Sequence, residues 1–270
     1  MEKLLIGWAE KSITPDKKVN LAGQFFERIS EHVETPVTVT AMAVERGGEQ
    51  LIICSCDLGN IKDELMSCVR DAVYEKNNEI DINKIILAAT HTHTSLLYNT
   101  KEVSSGNTLE GLRRYWPEDK EFVESVADDT VMQPWEAVVF LSERISECIV
   151  DAWQSRTYSY YANAFGRAVV GHCRRVVYDD KTAKMWGDTN SANFDELESG
   201  NDSGIELLYV FDENKKLTGV VANVACPSQV VEHRSFISSD YWGKVKILLR
   251  EKFGDELFVL CLCSAAGDQC

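Results

Sequence analysis

Two histidines, His91 and His93, stand in Thr90-His91-Thr92-His93-Thr94, directly after the apolar run Ile85-Ile86-Leu87-Ala88-Ala89. Side chains alternate faces along a strand, so residues i and i+2 share a face with Cβ atoms roughly 6–7 Å apart. At a strand end, both imidazoles could then reach one metal ion or one substrate. The pair is only part of a zinc site, because catalytic zinc takes three protein ligands and structural zinc four. The alternative is that both rings bond to neighbouring backbone and threonine hydroxyls and hold nothing.

Three further places carry chemically capable side chains. At Asn223-Val224-Ala225-Cys226-Pro227-Ser228 a strand ends against proline and leaves the Cys226 thiol at the same kind of position as the histidine pair. Thiolate is a good zinc ligand, so Cys226 and His91 could share an ion if their strands neighbour each other. The alternative is a buried, inert thiol. Arg174-Arg175 opens a strand, and a guanidinium there could bind a carboxylate or polarise a carbonyl; a solvated basic pair is the alternative. Gly267-Asp268-Gln269-Cys270 is a glycine turn after a buried strand, a position that suits a nucleophile or a substrate-binding loop. His32, His172 and His233 carry no assignment, and His233 is expected to be exposed.

The elements that must hold these residues interleave strands and helices. Leu4 to Ala9 reads as a strand, and Val37 to Arg46 with Gln50 to Cys56 as a hairpin turning at Gly47-Gly48. Asn60 caps a helix from Ile61 to about Glu75, with Leu65, Cys68, Val69, Ala72 and Val73 on one face. The histidine-bearing strand follows. Asn99 to Thr130 is polar, acidic and aperiodic, a candidate lid over the strand ends. Trp135 to Trp153 is a second amphipathic helix. Strands follow at Tyr158 to Ala164, Arg175 to Tyr178, Lys184 to Trp186, Ile205 to Phe211 and Leu217 to Ala225, the last two joined by a turn at Asp212 to Lys215. A third helix runs from Asp240 through Lys252, and Leu257 to Leu262 is a final buried strand. The fold class is α/β: a mixed β-sheet core with flanking helices and a site at the C-terminal ends of strands. No Pro-, Gly- or Ser-rich linker divides the chain, so residues 1–270 read as one domain.

Composition narrows the functional classes. The chain of 270 residues is 44% hydrophobic, enough for a sizeable core. Its net charge of -15 argues against nucleic-acid binding, which needs a basic surface to offset phosphate. No window approaches the roughly 20 apolar residues of a membrane span, and the N-terminus lacks the apolar run of a signal peptide, so a cytoplasmic location is expected. The nine cysteines have neither a disulfide framework nor a CxxC spacing and are expected to be reduced and mostly buried.

Taken in order, several segments resemble the N-terminal catalytic domain of the neutral/alkaline, non-lysosomal ceramidase family. They are Gly7-Trp8-Ala9-Glu10-Lys11-Ser12-Ile13-Thr14-Pro15 with Gly23, Thr40 to Val44, Cys56-Asp57-Leu58-Gly59, Ala89 to Ser95, Cys173-Arg174-Arg175, and Ala265 to Cys270. Ala89-Thr90-His91-Thr92-His93-Thr94-Ser95 is the most specific piece, matching that family's alanine-threonine-histidine-threonine-histidine-serine.

The resemblance implies a zinc-dependent hydrolase of a linear amide bond. By it, His91 ligates zinc, His93 contacts the scissile amide or its oxyanion, Arg174 helps hold the substrate, and Cys270 takes a catalytic or substrate-binding position. Cys226 stands where the family has a zinc-binding histidine, and a thiolate would make a bound water less acidic. The family's other zinc ligands, a glutamate and a tyrosine, fall beyond residue 270, so the domain is expected to be incomplete at its C-terminus. The expected substrate is a small-molecule amide or an N-acyl lipid. Two other readings stay open: a hydrolase using Cys270 as nucleophile, and a non-catalytic metal-binding scaffold.

Overall fold

A computed structural model describes residues 3–24, 26–99 and 128–270. Its strands are β1 (Leu5–Ser12), β2 (Lys18–Val19), β3 (Thr38–Arg46), β4 (Glu49–Cys56), β5 (Ile85–Ala89), β6 (Val131–Met132), β7 (Thr157–Arg167), β8 (Arg175–Tyr178), β9 (Ala183–Met185), β10 (Phe194–Leu197), β11 (Gly204–Asp212), β12 (Leu217–Val224) and β13 (Phe258–Cys263). The α-helices are α1 (Asp63–Lys76), α2 (Pro134–Gln154) and α3 (Asp240–Phe253).

Eight strands form one mixed sheet in the order β13-β12-β11-β7-β1-β3-β4-β5. The pairs β4·β5 and β12·β13 are parallel and the others antiparallel. Only Leu5 and Ile6 of β1 pair with β7, so the sheet is continuous across its middle by a narrow seam. The two halves fold over that seam. Ile6, Trp8 and Met42 from one half pack against Val210, Val221 and Leu260 from the other, and Ser55 on β4 donates to the carbonyl of Cys261 on β13.

Alternation of side chains between the two faces of the sheet explains the layering. On β3 and β4, Val39, Ala41, Ala43, Ile52 and Cys54 face α1 and α2, whose Leu65, Val69, Leu141, Ile145 and Ile149 are buried against them. On the other half, Val220, Ala222, Val224, Val259 and Cys261 pack with Trp242 of α3. Gly7 permits α2 to lie close on β1, since a Cβ there would come within 2.1 Å of the Ala152 carbonyl oxygen. A buried ion pair ties α3 to the first half: Lys246 donates to Asp57 at 3.1 Å and to the Thr38 hydroxyl at 2.7 Å. Arg250 adds an ion pair to Glu10 at 2.8 Å.

The mixed sheet with flanking helices agrees with the sequence expectation, and so does the hairpin at Gly47 and Gly48, both with positive φ. Helix α1 starts at Asp63, not after Asn60; Lys62 occupies the cap, and the Asn60 carbonyl is taken by the Tyr98 hydroxyl. Strand β9 stops at Met185 because Trp186 turns to φ 50° and donates its N–H to the Arg174 carbonyl. The candidate lid falls largely on residues 100–127, outside the described residues.

Candidate functional site

The C-terminal ends of β5, β12 and β13 converge. The loops leaving them, together with Gly59-Asn60 after β4 and Arg174 before β8, line a cleft of about 330 Å³ containing His91, Pro227, Gln229, Cys263, Ser264 and Gly267. Strands β5 and β12 are not neighbours in the sheet; folding of the two halves brings their ends together. Two hydrogen bonds mark that junction. The Ser228 hydroxyl donates to the Thr90 carbonyl at 2.8 Å, and the His93 amide to the Ser228 carbonyl at 3.4 Å.

The three threonines around the histidines are buried anchors. Thr90 donates to Asp57 at 3.3 Å, and Thr92 and Thr94 each donate to the Ser238 carbonyl at 2.9 Å. Alternation of threonine and histidine therefore pins one face of the segment and turns both imidazoles the other way. His91 has φ 60°, a left-handed backbone that few non-glycine residues adopt. Its Nδ1 meets the Gly59 carbonyl, a contact that requires a proton on Nδ1. Across 3.3 Å lies Nε2 of His93, the two rings meeting edge to face.

His93 is enclosed. Gly23, at φ +97°, lies against its ring so closely that an added Cβ would come within 2.2 Å of Cγ. Buried Arg28 donates to the His93 carbonyl at 2.6 Å and to the carbonyls of Ala22 and Arg234. Burial, with the charges of His91, Arg28 and Arg174, pushes the pKa of His93 down to about 4, so the ring is neutral near pH 7. A smaller pocket of about 150 Å³, lined by Gly23, Lys62, His93 and Tyr98, adjoins the cleft and shares His91 with it.

Arg174 stacks over Trp186, its Cζ 4.5 Å from the ring centroid, and donates from Nη2 to the Gly267 carbonyl at 2.7 Å. It lines the cleft. Its neighbour Arg175 is committed elsewhere, to Glu198. Cys270 pairs backbone to backbone with His172, and its Sγ lies 3.6 Å from His172 Nε2. Burial, the main cause, raises its thiol pKa. His233 is exposed.

Cys226 sits differently from the other candidates. It is buried and absent from the cleft lining; its thiol contacts the Pro227 carbonyl, and burial pushes its pKa up to about 11. Among the described residues, no group of three or more His, Cys, Asp or Glu side chains is arranged to hold a metal ion. His91, with Nδ1 anchored on a carbonyl and Nε2 turned towards His93, is a candidate single ligand. One ligand is not a zinc site, and the described residues do not complete one.

Sequence reading did not single out Glu232, Gln229 or Arg28, all of which touch His93. Gln229 is 136 residues away along the chain, and no local spacing announces such a contact.

The sequence matches no protein-family model and no curated protein. Solved structures do match in three dimensions. Over 100% of this chain, neutral ceramidase from Pseudomonas aeruginosa superposes with a TM-score of 0.75 at 16% identity. A ceramidase complexed with C2 superposes over 100% of this chain with a TM-score of 0.73, also at 16% identity. The chain thus has the neutral-ceramidase fold, and it spans 39% of the length of each of these structures.

Proposed function

We propose that this chain is the N-terminal catalytic part of a ceramidase-like hydrolase that cleaves a linear amide bond in the cleft at the ends of β5, β12 and β13. The observation that carries this reading is the placement of His91 between two adjoining pockets, one lined with it by Arg174 and the other by His93, on a fold shared with neutral ceramidase. Amide hydrolysis bonds a water oxygen to the carbonyl carbon, breaks the C–N bond, and passes a proton to the leaving nitrogen. Neutral His93 can accept a proton from the attacking water and pass it to the leaving nitrogen, while the Arg174 guanidinium stabilises the charge that develops on the carbonyl oxygen. A small amide or an N-acyl lipid fits the same chemistry. No described helix is long and apolar enough to cross a membrane.

Zinc belongs to this proposal through His91 alone, and the remaining ligands would come from residues outside those described. No step above depends on it. The test is turnover of short-chain ceramide and a panel of soluble N-acyl amines by the wild type, His91→Ala and Arg174→Ala, with metal content measured in parallel. Turnover by the wild type, reduced about a hundredfold or more in each variant, supports the reading. Bound zinc should vanish in His91→Ala and persist in Cys226→Ala. Wild-type protein inert on every amide would overturn it.

A second reading rests on the Cys270–His172 contact, with Cys270 as nucleophile and His172 as its base. Rapid loss of activity on alkylation of the wild type, together with loss of turnover in Cys270→Ser, would favour that reading.

A further inference from the structure

The two adjoining pockets share His91, and the formally charged side chains that line them are of one sign. Among the described residues, Arg174 is the charged group of the 330 Å³ cleft and Lys62 that of the 150 Å³ pocket, and no Asp or Glu lines either. Acids outnumber bases 43 to 28 in this chain, so two cations without an acid are not what its average surface would supply. Both cations are held by neutral acceptors. Lys62 Nζ donates to the Tyr98 carbonyl at 3.1 Å and to the Asn99 side-chain oxygen, and Arg174 donates to the Gly267 carbonyl. An ammonium has three donors, of which these contacts engage two.

One loop, after β4, positions Lys62 and His91 together. The Gly59 carbonyl takes Nδ1 of His91; further along, the Lys62 N–H donates to the Tyr98 hydroxyl at 2.9 Å, and that hydroxyl donates to the Asn60 carbonyl at 2.9 Å. Tyr98 is buried, and the Lys62 ammonium lies over its ring, 5.4 Å from the centroid. Ala22, Gly23, Leu96 and Leu97 give the rest of the smaller pocket a small and mostly apolar wall. A water takes about 30 Å³ of the liquid, so a volume of 150 Å³ suits a group of only a few non-hydrogen atoms, and the cleft of 330 Å³ one about twice that size. A cation in such a wall, with a donor to spare, selects a compact anion.

We infer that Lys62 binds a carboxylate carried by the substrate, and that the smaller pocket takes the amine half of a short N-acyl amino acid such as an N-acylglycine. The inference deepens the proposed amide hydrolysis and rests on it for the assignment of sides. His93, which passes a proton to the leaving nitrogen, lines the smaller pocket, whereas Arg174, which faces the carbonyl oxygen, lines the cleft. The amine half therefore lies with His93 and Lys62, and the acyl half with Arg174, Pro227 and Cys263. The water oxygen bonds to the acyl carbon, the C–N bond breaks, and the nitrogen takes a proton, so the products are a short carboxylic acid and a free amino acid. Lys62 takes part in none of these bond changes; it determines which amide is held.

The experiment compares N-butanoylglycine with its neutral isostere N-butanoylglycinamide on the full chain, measuring kcat/KM for each and Kd for each by isothermal titration calorimetry. The wild type should prefer the acid by about tenfold or more on both measures, the worth of one hydrogen bond to a charged group. Lys62→Gln, which keeps a donor and loses the charge, should bring the ratio close to one, and Lys62→Arg should preserve it. The ratio is internal to each variant, so a general loss of folding or activity does not imitate the result. Equal binding of acid and amide by the wild type, no binding of the acid, or a preference retained in Lys62→Gln overturns the inference. Tighter binding of N-butylsuccinamate, whose carboxylate sits on the acyl half, overturns the assignment of sides. Preferential binding of the acid with no amide turned over supports Lys62 as a carboxylate site and counts against the proposed hydrolysis.

Discussion

At the scale of single residues, the site is a set of side chains whose freedom has been removed by unlike means. His91 is aimed by a carbonyl and a left-handed backbone, and His93 by a glycine, a carboxylate and a buried arginine. The enclosure of His93 has a measurable linkage to pH. Its pKa is lowered from 6.5 to about 4, so between those values the unfolded chain binds a proton that the folded chain does not. Stability contributed by this group is therefore present above pH 6.5 and is lost as pH falls towards 4. Urea unfolding at pH 7 and pH 5 should show that loss in the wild type and a smaller one in His93→Gln; equal losses would remove His93 from the account. The histidines, Arg174 and Cys270 were legible because their residue types stand out at strand ends. Glu232 was not, because one acid among 43 Asp and Glu has no mark in sequence until the fold sets it against a ring.

At the scale of elements, what was legible followed burial. Helix α2 shows its buried face, Leu141, Ile145, Cys148, Ile149 and Ala152, at helical spacing, and β3 and β4 carry short apolar runs on either side of Gly47-Gly48 that read as a hairpin. Strand β10 is exposed at all four positions, and β2 and β6 are two residues each, so no period exists to detect. Strand β7 runs on to Arg167 with most of its outer residues exposed; what extends it is backbone pairing with β11, a long-range cause. Loop conformation was least legible of all, yet it decides the site. At Gly23 the φ of +97° and the His93 ring leave no room for a Cβ. Gly23→Ala should cost about 1–3 kcal/mol in urea unfolding and displace His93, lowering any amide turnover. Unchanged stability would show that the loop can move aside.

At the scale of the whole molecule, the two halves of the sheet behave as one body. Their common core includes Trp8, stacked on Phe258 with ring centroids 5.9 Å apart, and the Lys246–Asp57 pair crosses between them. Breaking a buried pair by removing one partner strands a charge, typically at about 3–5 kcal/mol. Unfolding followed by tryptophan fluorescence and by far-ultraviolet circular dichroism should accordingly coincide in a single transition, in the wild type and, at lower denaturant, in Lys246→Met. Separate transitions would mean that the halves are independent. The net charge of -15 adds a repulsion that keeps such molecules apart in solution.

The contacts that close the cleft are also among the most distant along the chain. Ser228 reaches Thr90 across 138 residues, Lys246 reaches Asp57 across 189, and Ser55 reaches Cys261 across 206. Loops of that length are costly to close before their contacts reward them, so such pairings form late and slowly. During refolding, each half can assemble its own strands while the face carrying Trp8, Val221 and Leu260 is still open to water. The cavity that gathers His91, Arg174 and Gln229 comes into being only when that face shuts. The site is thus built from contacts among the longest-range of the fold, and its appearance during refolding is expected to coincide with burial of Trp8.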